Sequence, residues 1–120
     1  MNNIQIFKND SFGAVRTVEV EGTPYFVGKD VAEILGYTNP TKALQDHVDS
    51  EDMTFNESLK LSRQSGAWLI NESGLYSLIL SSKLPKAKEF KHWVTSDILP
   101  TIRKHGAYIL SSSFFTFLFS

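Results

Sequence analysis

The 120-residue chain contains no cysteine, so disulfides, thiol chemistry and thiolate metal sites are excluded. It holds no apolar run near the ~20 residues that a membrane helix needs. Met1-Asn2-Asn3 leads straight into an alternating pattern with no basic and apolar leader, so no signal peptide is expected and a cytoplasmic location follows. A strong net charge is missing too: 12 Lys and Arg stand against 13 Asp and Glu, a formal charge of −1. That balance argues against wholesale electrostatic capture of a polyanion. Catalytic patterns are equally scarce. No glycine-rich phosphate loop is present, and Glu72-Ser73-Gly74 lacks the glycine-flanked elbow of a hydrolase serine. His47, His92 and His105 are dispersed along the chain, so no metal site is expected. Neither catalytic residues nor a cofactor are expected, and the chain does not read as an enzyme. What is present, 42% apolar and 21% charged residues, is the composition of a soluble globular protein with one domain's worth of core.

The small net charge hides an asymmetry. Residues 1–60 carry five Lys and Arg against ten Asp and Glu, whereas residues 83–104 carry six against two. A chain so divided can turn one basic surface to a polyanion, or pair its basic segment with its acidic half within a molecule or across a dimer.

The stretch from Val27 to Val48 organises the rest. Val31, Ala32, Ile34 and Leu35 form the apolar side of a helix that stops at Gly36, a residue able to take the left-handed conformation that ends helices. After Thr38 and Asn39, Pro40 sits where a first helical turn tolerates its missing N–H. The second helix turns Ala43, Leu44 and Val48 inward and leaves Thr41, Lys42, Gln45 and His47 outside. Two short helices joined at a glycine make a helix-turn-helix shape, whose second helix can enter a DNA major groove. The spacing of Ala32 and Gly36 suits the motif, whereas the apolar residues of the second helix fall about one position late. An ordinary helical corner without a ligand fits the same pattern.

Before this stretch, Ile4 and Ile6 alternate with polar residues as a first strand, and Phe12 to Val20 reads as a second. Val18 and Val20 alternate there with Glu19 and Glu21, predicting one buried face and one wet face. Tyr25-Phe26-Val27 is a third strand, leading into the first helix with Gly28 or Asp30 near its start. Beyond the helix pair, Asp49-Ser50-Glu51-Asp52 is an acidic turn, read as solvated surface rather than a cation site. Met53–Glu57 and Ala67–Ile70 have strand composition, with residues 60–66 as a polar loop between them. Such a hairpin would be a wing, its tip presenting Arg63 and Gln64 to a phosphate or a minor groove, or simply an exposed loop. Asn71 caps a third helix that carries Leu75, Tyr76, Leu78, Ile79 and Leu80 as a largely buried set. Pro85 starts the last helix, with Phe90, Trp93, Val94, Ile98, Leu99 and Ile102 inward. Pro100 predicts a kink or break near Asp97, and Gly106 a stop. Four of the nine Phe fall in residues 114–120, an exposed aggregation hazard unless the tail docks on the domain or a partner, or is the stub of a longer chain.

The chain resembles the N-terminal domain of the Bro family of phage antirepressors and repeated insect-virus reading frames. The residues that carry the resemblance are Ile6-Phe7, Val18, P-Y-F-V-G-K-D-V-A-E-I-L-G-Y-T-N-P-T-K-A-L at 24–44 and His47-Val48-Asp49. W-L-I-N-E-S-G-L-Y-S-L-I-L-S-S at 68–82, A-K-E-F-K-H-W-V at 87–94 and I-L-P-T-I-R-K-H-G-A-Y at 98–108 continue it. The expected domain is residues 1–109, with 110–120 an aromatic tail where antirepressors usually have a second domain. The resemblance implies a DNA-binding transcription regulator of a phage or prophage, acting in the bacterial cytoplasm at the nucleoid.

The expected fold is α+β: a small antiparallel sheet, a helix-turn-helix-like pair, a hairpin wing and two C-terminal helices. The residues expected to touch double-stranded DNA are Lys29, Thr38, Asn39, Thr41, Lys42, Gln45, His47, Arg63, Gln64, Lys83, Lys86, Lys88, Lys91, Arg103 and Lys104. Amides, hydroxyls and cations match base-edge and phosphate acceptors, while Asp46 and Asp49 oppose them. With few cations, a homodimer reading two half-sites would raise affinity. The alternative is a protein-interaction module that captures a phage repressor or another host protein without DNA, which suits the acidic first half and the aromatic tail.

Overall fold

Alternating apolar residues on both sides of the turns at Asn9–Phe12 and Glu21–Gly22 fold the start of the chain into a meander: β1 (Asn3–Asn9), β2 (Gly13–Val20) and β3 (Thr23–Val27). The computed structural model describes residues 3–61 and 64–103. After β3 come α1 (Gly28–Ile34), α2 (Pro40–His47), a 3-10 turn (Ser50–Asp52), β4 (Met53–Leu61), β5 (Gln64–Ile70), α3 (Glu72–Ser81) and α4 (Ala87–Trp93). The five strands form one antiparallel sheet in the order β1-β2-β3-β5-β4, so the fold is α+β. The β4–β5 hairpin is thus no separate appendage, because β5 pairs with β3 through Phe26–Ile70 and Val27–Leu69.

All four helices cover one face of the sheet. Val15, Phe26 and Ile70 meet Val31, Leu44, Leu75, Leu78, Phe90, Val94, Ile98 and Leu99 in a single core. The other face is not simply wet: Val18, Val27, Leu59 and Leu69 form a second, smaller cluster there. A register shift between Asn56 and Lys60 makes this cluster, turning Leu59 inward while the Asn56 side chain accepts from the Ser58 backbone N–H and hydroxyl. On β1 it is Phe7 that packs against the helical core, while Ile4 and Ile6 face out. Phe12 is a turn residue rather than the start of β2, stacked on Trp93 with 5.8 Å between ring centroids and edge-on to Phe90 at 5.6 Å.

Three further expectations are corrected. The polar residues 60–66 do not form a seven-residue loop, since Leu61 and Gln64 already pair as the last rung of the hairpin. Leu80 is 81% exposed, because it lies on the side of α3 opposite Leu75, Leu78 and Ile79. Pro85 lies in the turn before α4 rather than at its start. Near Asp97, where Pro100 predicts a kink or break, the helix widens into a π-helical turn over Val94–Ile98, placed where the proline ring and its missing N–H conflict with regular pairing, and then continues to Arg103. Lys104, the stop at Gly106 and the aromatic tail lie outside the described residues.

Candidate nucleic-acid interface

The helix pair begins with local chemistry. At the end of α1 the Gly36 N–H donates to Glu33 O at 3.1 Å and the Tyr37 N–H to Ala32 O at 3.0 Å. These crossed bonds need a left-handed residue between them, and Gly36 supplies it at φ +86°. Asn39 then caps α2, its side chain accepting from the Lys42 N–H at 3.1 Å, with Pro40 at the first helical position. Ala43 and Leu44 are buried, and Val48 closes the inward side.

The turn is clamped onto the far end of α3. The Tyr37 hydroxyl donates to Leu78 O at 2.8 Å, and the Ser82 hydroxyl donates to Leu35 O at 2.9 Å. Burial raises the Tyr37 pKa above its ordinary value, partly offset by a hydrogen bond with Ser81. Leu84 packs so closely on Gly36 that a Cβ there would stand 2.6 Å from its Cδ1. Lys83, flanked by these two gripping residues, is thereby held beside the helix-turn.

Thr38, Asn39, Thr41, Lys42, Gln45 and His47 are all exposed; Thr41, Lys42 and Gln45 share the outer side of α2, whereas helical spacing puts His47 on the side of Ala43 and Leu44. Two of them are engaged: Lys42 Nζ lies 2.8 Å from Asp46 Oδ2, and the His47 ring is 5.4 Å from that of Tyr37. The Lys42 bond is the largest cause of a lowered Asp46 pKa. Lys29 is exposed at the start of α1. The neighbouring Asp30 does not cap α1 but holds Arg16, whose Nη2 and Nε donate at 2.7 and 2.8 Å. The basic C-terminal positions do not form one patch. Lys83 lies between the two residues that grip the turn, Lys86 is exposed just before α4, and Lys88 and Lys91 are exposed on α4, with Lys91 bordering a shallow groove of about 230 Å³ beside Tyr76, Ile79 and Leu80. Arg103 is at the other end of α3, bound to both carboxylate oxygens of Glu72 at 2.7 and 2.8 Å. Gln64 opens β5, while Arg63 and Lys104 lie outside the described residues.

One pair was not legible as a site. Phe55 and Trp68 are cross-strand neighbours on the hairpin, 45% and 39% exposed, with ring centroids 5.3 Å apart. Gly66 makes room for this pair, since a Cβ there would fall 2.6 Å from Phe55 Cζ. Trp68 is two residues from Ile70, so the pair points to the side of the sheet that carries the helices. Their alternation with Ile70 and Met53 was the available signal, but it reads as an ordinary buried strand face. Among the described residues no group of three or more His, Asp or Glu is placed to hold a metal ion, and no helix is long and apolar enough to cross a membrane.

A five-stranded sheet, a helix-turn-helix-like pair on its face and a hairpin at its edge define a small α+β domain. The chain belongs to the BRO family by its N-terminal domain, whose family model matches residues 14–100. It is 43% identical over 93 residues to an uncharacterized protein of Haemophilus influenzae, covering 78% of this chain and 46% of that one. It is 44% identical over 104 residues to the Bro-N domain-containing protein 289L of Invertebrate iridescent virus 6, covering 72% of this chain and 25% of the viral protein. Protein ORF2 of Autographa californica nuclear polyhedrosis virus, also named for a Bro-N domain, is 33% identical over 118 residues, covering 85% of this chain and 36% of that protein. The chain thus spans less than half the length of these relatives. No solved structure matches it.

Proposed function

We propose that this domain binds double-stranded DNA as the recognition module of a phage or prophage transcription regulator, with α2 in the major groove. The observation that carries the reading is the outer face of the helix-turn and α2. There Thr38, Asn39, Thr41, Lys42 and Gln45 are exposed together on the turn and the helix that follows it, the turn being clamped to α3. The hydroxyls and amides of that face match base edges, and the hairpin beside it acts as a wing. Phosphate contacts come from among Lys29, Arg63, Gln64 and the basic residues from Lys83 to Lys104. The domain works without a cofactor or catalysis, in the bacterial cytoplasm at the nucleoid, and reads two half-sites as a homodimer. An antirepressor role belongs to this reading as the regulatory outcome.

The test is fluorescence anisotropy on mixed-sequence duplex DNA at about 50 and 200 mM salt, the range over which phosphate contacts show. Wild type is compared with a Lys42→Ala/Gln45→Ala/Arg63→Ala triple variant. Binding that weakens steeply with salt supports the reading; its loss in the variant assigns the contacts to α2 and the hairpin tip, and its survival moves them to the basic residues at 83–104. No binding at low salt overturns it. One observation favours a second reading, capture of a phage repressor or other protein. Asp46 neutralises Lys42, Asp49 is exposed next to α2, and Leu80 and Trp68 offer uncovered apolar surface. An apolar protein contact would be nearly insensitive to salt.

A further inference from the structure

We propose that the loop between α3 and α4 is the phosphate anchor of α2, with Lys83 and Lys86 rather than Lys42 fixing the helix on the DNA backbone. The inference rests on the reading that α2 meets DNA and names which cations position it.

Three contacts make the loop and the helix-turn one rigid piece. Tyr37 is bonded to Leu78, Ser82 to Leu35, and Leu84 fills the space over Gly36. The two loop residues that grip the turn, Ser82 and Leu84, are the chain neighbours of Lys83. Its position relative to Thr38, Asn39 and the start of α2 is therefore set by the Ser82–Leu35 and Tyr37–Leu78 hydrogen bonds, with Leu84 packed over Gly36 beside them. Charge separates the candidates further. Lys42 donates to Asp46 one turn along α2, so the pair presents no net charge to a phosphate and leaves a carboxylate beside it. Arg103 is chelated by Glu72 at the far end of α3, about 15 Å of helix away from the turn. Among the described residues, Lys83 and Lys86 are exposed and have no carboxylate partner, as is also true of Lys8, Lys29, Lys88 and Lys91; of these, Lys83 is the one bracketed by residues that grip the helix-turn. A cation already paired must exchange one anion for another on binding, whereas an unpaired one releases condensed counterions from the DNA without that loss. The loop is thus the place where the helix-turn region, electrically neutral on α2 itself, becomes attractive to a backbone.

The experiment measures the salt dependence of binding to a mixed-sequence duplex by anisotropy for wild type and three exposed-charge variants. These are Lys83→Gln/Lys86→Gln, Lys42→Gln, and Lys88→Gln/Lys91→Gln, the last removing equal charge from α4. Each phosphate contact contributes about 0.9 to the slope of log affinity against log salt. The expected result is a slope shallower by about 1.8 in the Lys83/Lys86 variant, with a change well below about 0.9 for each of the other two. Equal flattening by the Lys83/Lys86 and Lys88/Lys91 variants overturns the inference, because any two charges would then serve. An unchanged slope in the Lys83/Lys86 variant of a protein that binds also overturns it, leaving DNA binding intact. If wild type does not bind duplex DNA in a salt-dependent way, the DNA-binding reading itself falls, and the anchor with it.

Discussion

Arg16 on β2 holds the carboxylate of Asp30 on α1 with three donors. Its Nη2 and Nε lie at 2.7 and 2.8 Å, and its own backbone N–H at 3.0 Å. β3 stops pairing with β2 at Phe26–Thr17, so beyond this rung the β2 edge would have an unpaired N–H. Asp30 takes over as acceptor there and ties the first turn of α1 to the sheet. The guanidinium's hydrogen bonding to the same carboxylate is the leading cause of the raised Arg16 pKa, and the Asp30 side chain is only 10% exposed. Asp30→Ala should therefore leave a half-buried guanidinium and an N–H without partners and destabilise the domain by about 1–3 kcal/mol. A thermal melt that does not move would show that water replaces the carboxylate at no cost.

Gly36 is the second point where a single atom matters. At φ +86° an L side chain carries about 1–2 kcal/mol of backbone strain, and the added Cβ would run into Leu84. Gly36→Ala should lower stability by at least that strain, and Gly36→Ala/Leu84→Ala should not restore it fully, because removing the clash leaves φ unchanged. Chemical denaturation of both variants separates the two contributions. Full rescue by the double variant would mean that packing, not backbone conformation, decides this turn.

The features legible in the sequence were those with local causes. Gly36 stops α1, Asn39 with Pro40 starts α2, and Asn71 caps α3 by accepting from the Gly74 N–H, each within three or four residues of its signal. Partnerships set by the fold were not legible. Arg103 reads as a free cation until α3 and the last helix bring Glu72, 31 residues away in sequence, against it. The sequence understates the length of the hairpin because its polar residues belong to an edge arm whose pairing needs no apolar partner, and the bulge that buries Leu59 has no sequence mark. The Lys42–Asp46 pair could have been found from its i,i+4 spacing alone. What defines the candidate interface is therefore half local, the helix pair, and half tertiary, the clamp from α3 and the loop behind it.

That i,i+4 pair sets a pH expectation. Hydrogen bonding to Lys42 depresses the Asp46 pKa below its ordinary value of 3.8. A depressed carboxylate favours the folded helix above its ordinary pKa, and this contribution is lost as pH falls through the lower folded value. Followed by NMR of the carboxyl carbon, Asp46 should titrate below 3.8 in wild type and move up toward it in Lys42→Ala. Identical titration in both proteins would mean that the exposed pair is not held in solution.

Trp68 gives an optical test of whether the hairpin reaches the same partner as α2. The chain has two tryptophans, and they differ sharply: Trp93 is 8% exposed, stacked with Phe12, whereas Trp68 is 39% exposed beside Phe55. Acrylamide should therefore quench Trp68 strongly and Trp93 weakly in the free protein. On the wing reading, saturating duplex DNA covers the aromatic pair, and the quenchable fraction falls toward that of Trp93 alone. Trp68→Phe keeps the hairpin's ring-to-ring contact with Phe55, removes the accessible fluorophore and should leave emission indifferent to DNA, which assigns the signal. If Trp68 stays fully quenchable in a complex that anisotropy shows to be saturated, the hairpin stands clear of the DNA. Its exposed aromatic pair would then belong to a contact with protein, since base stacking or sugar packing against those rings would shield them.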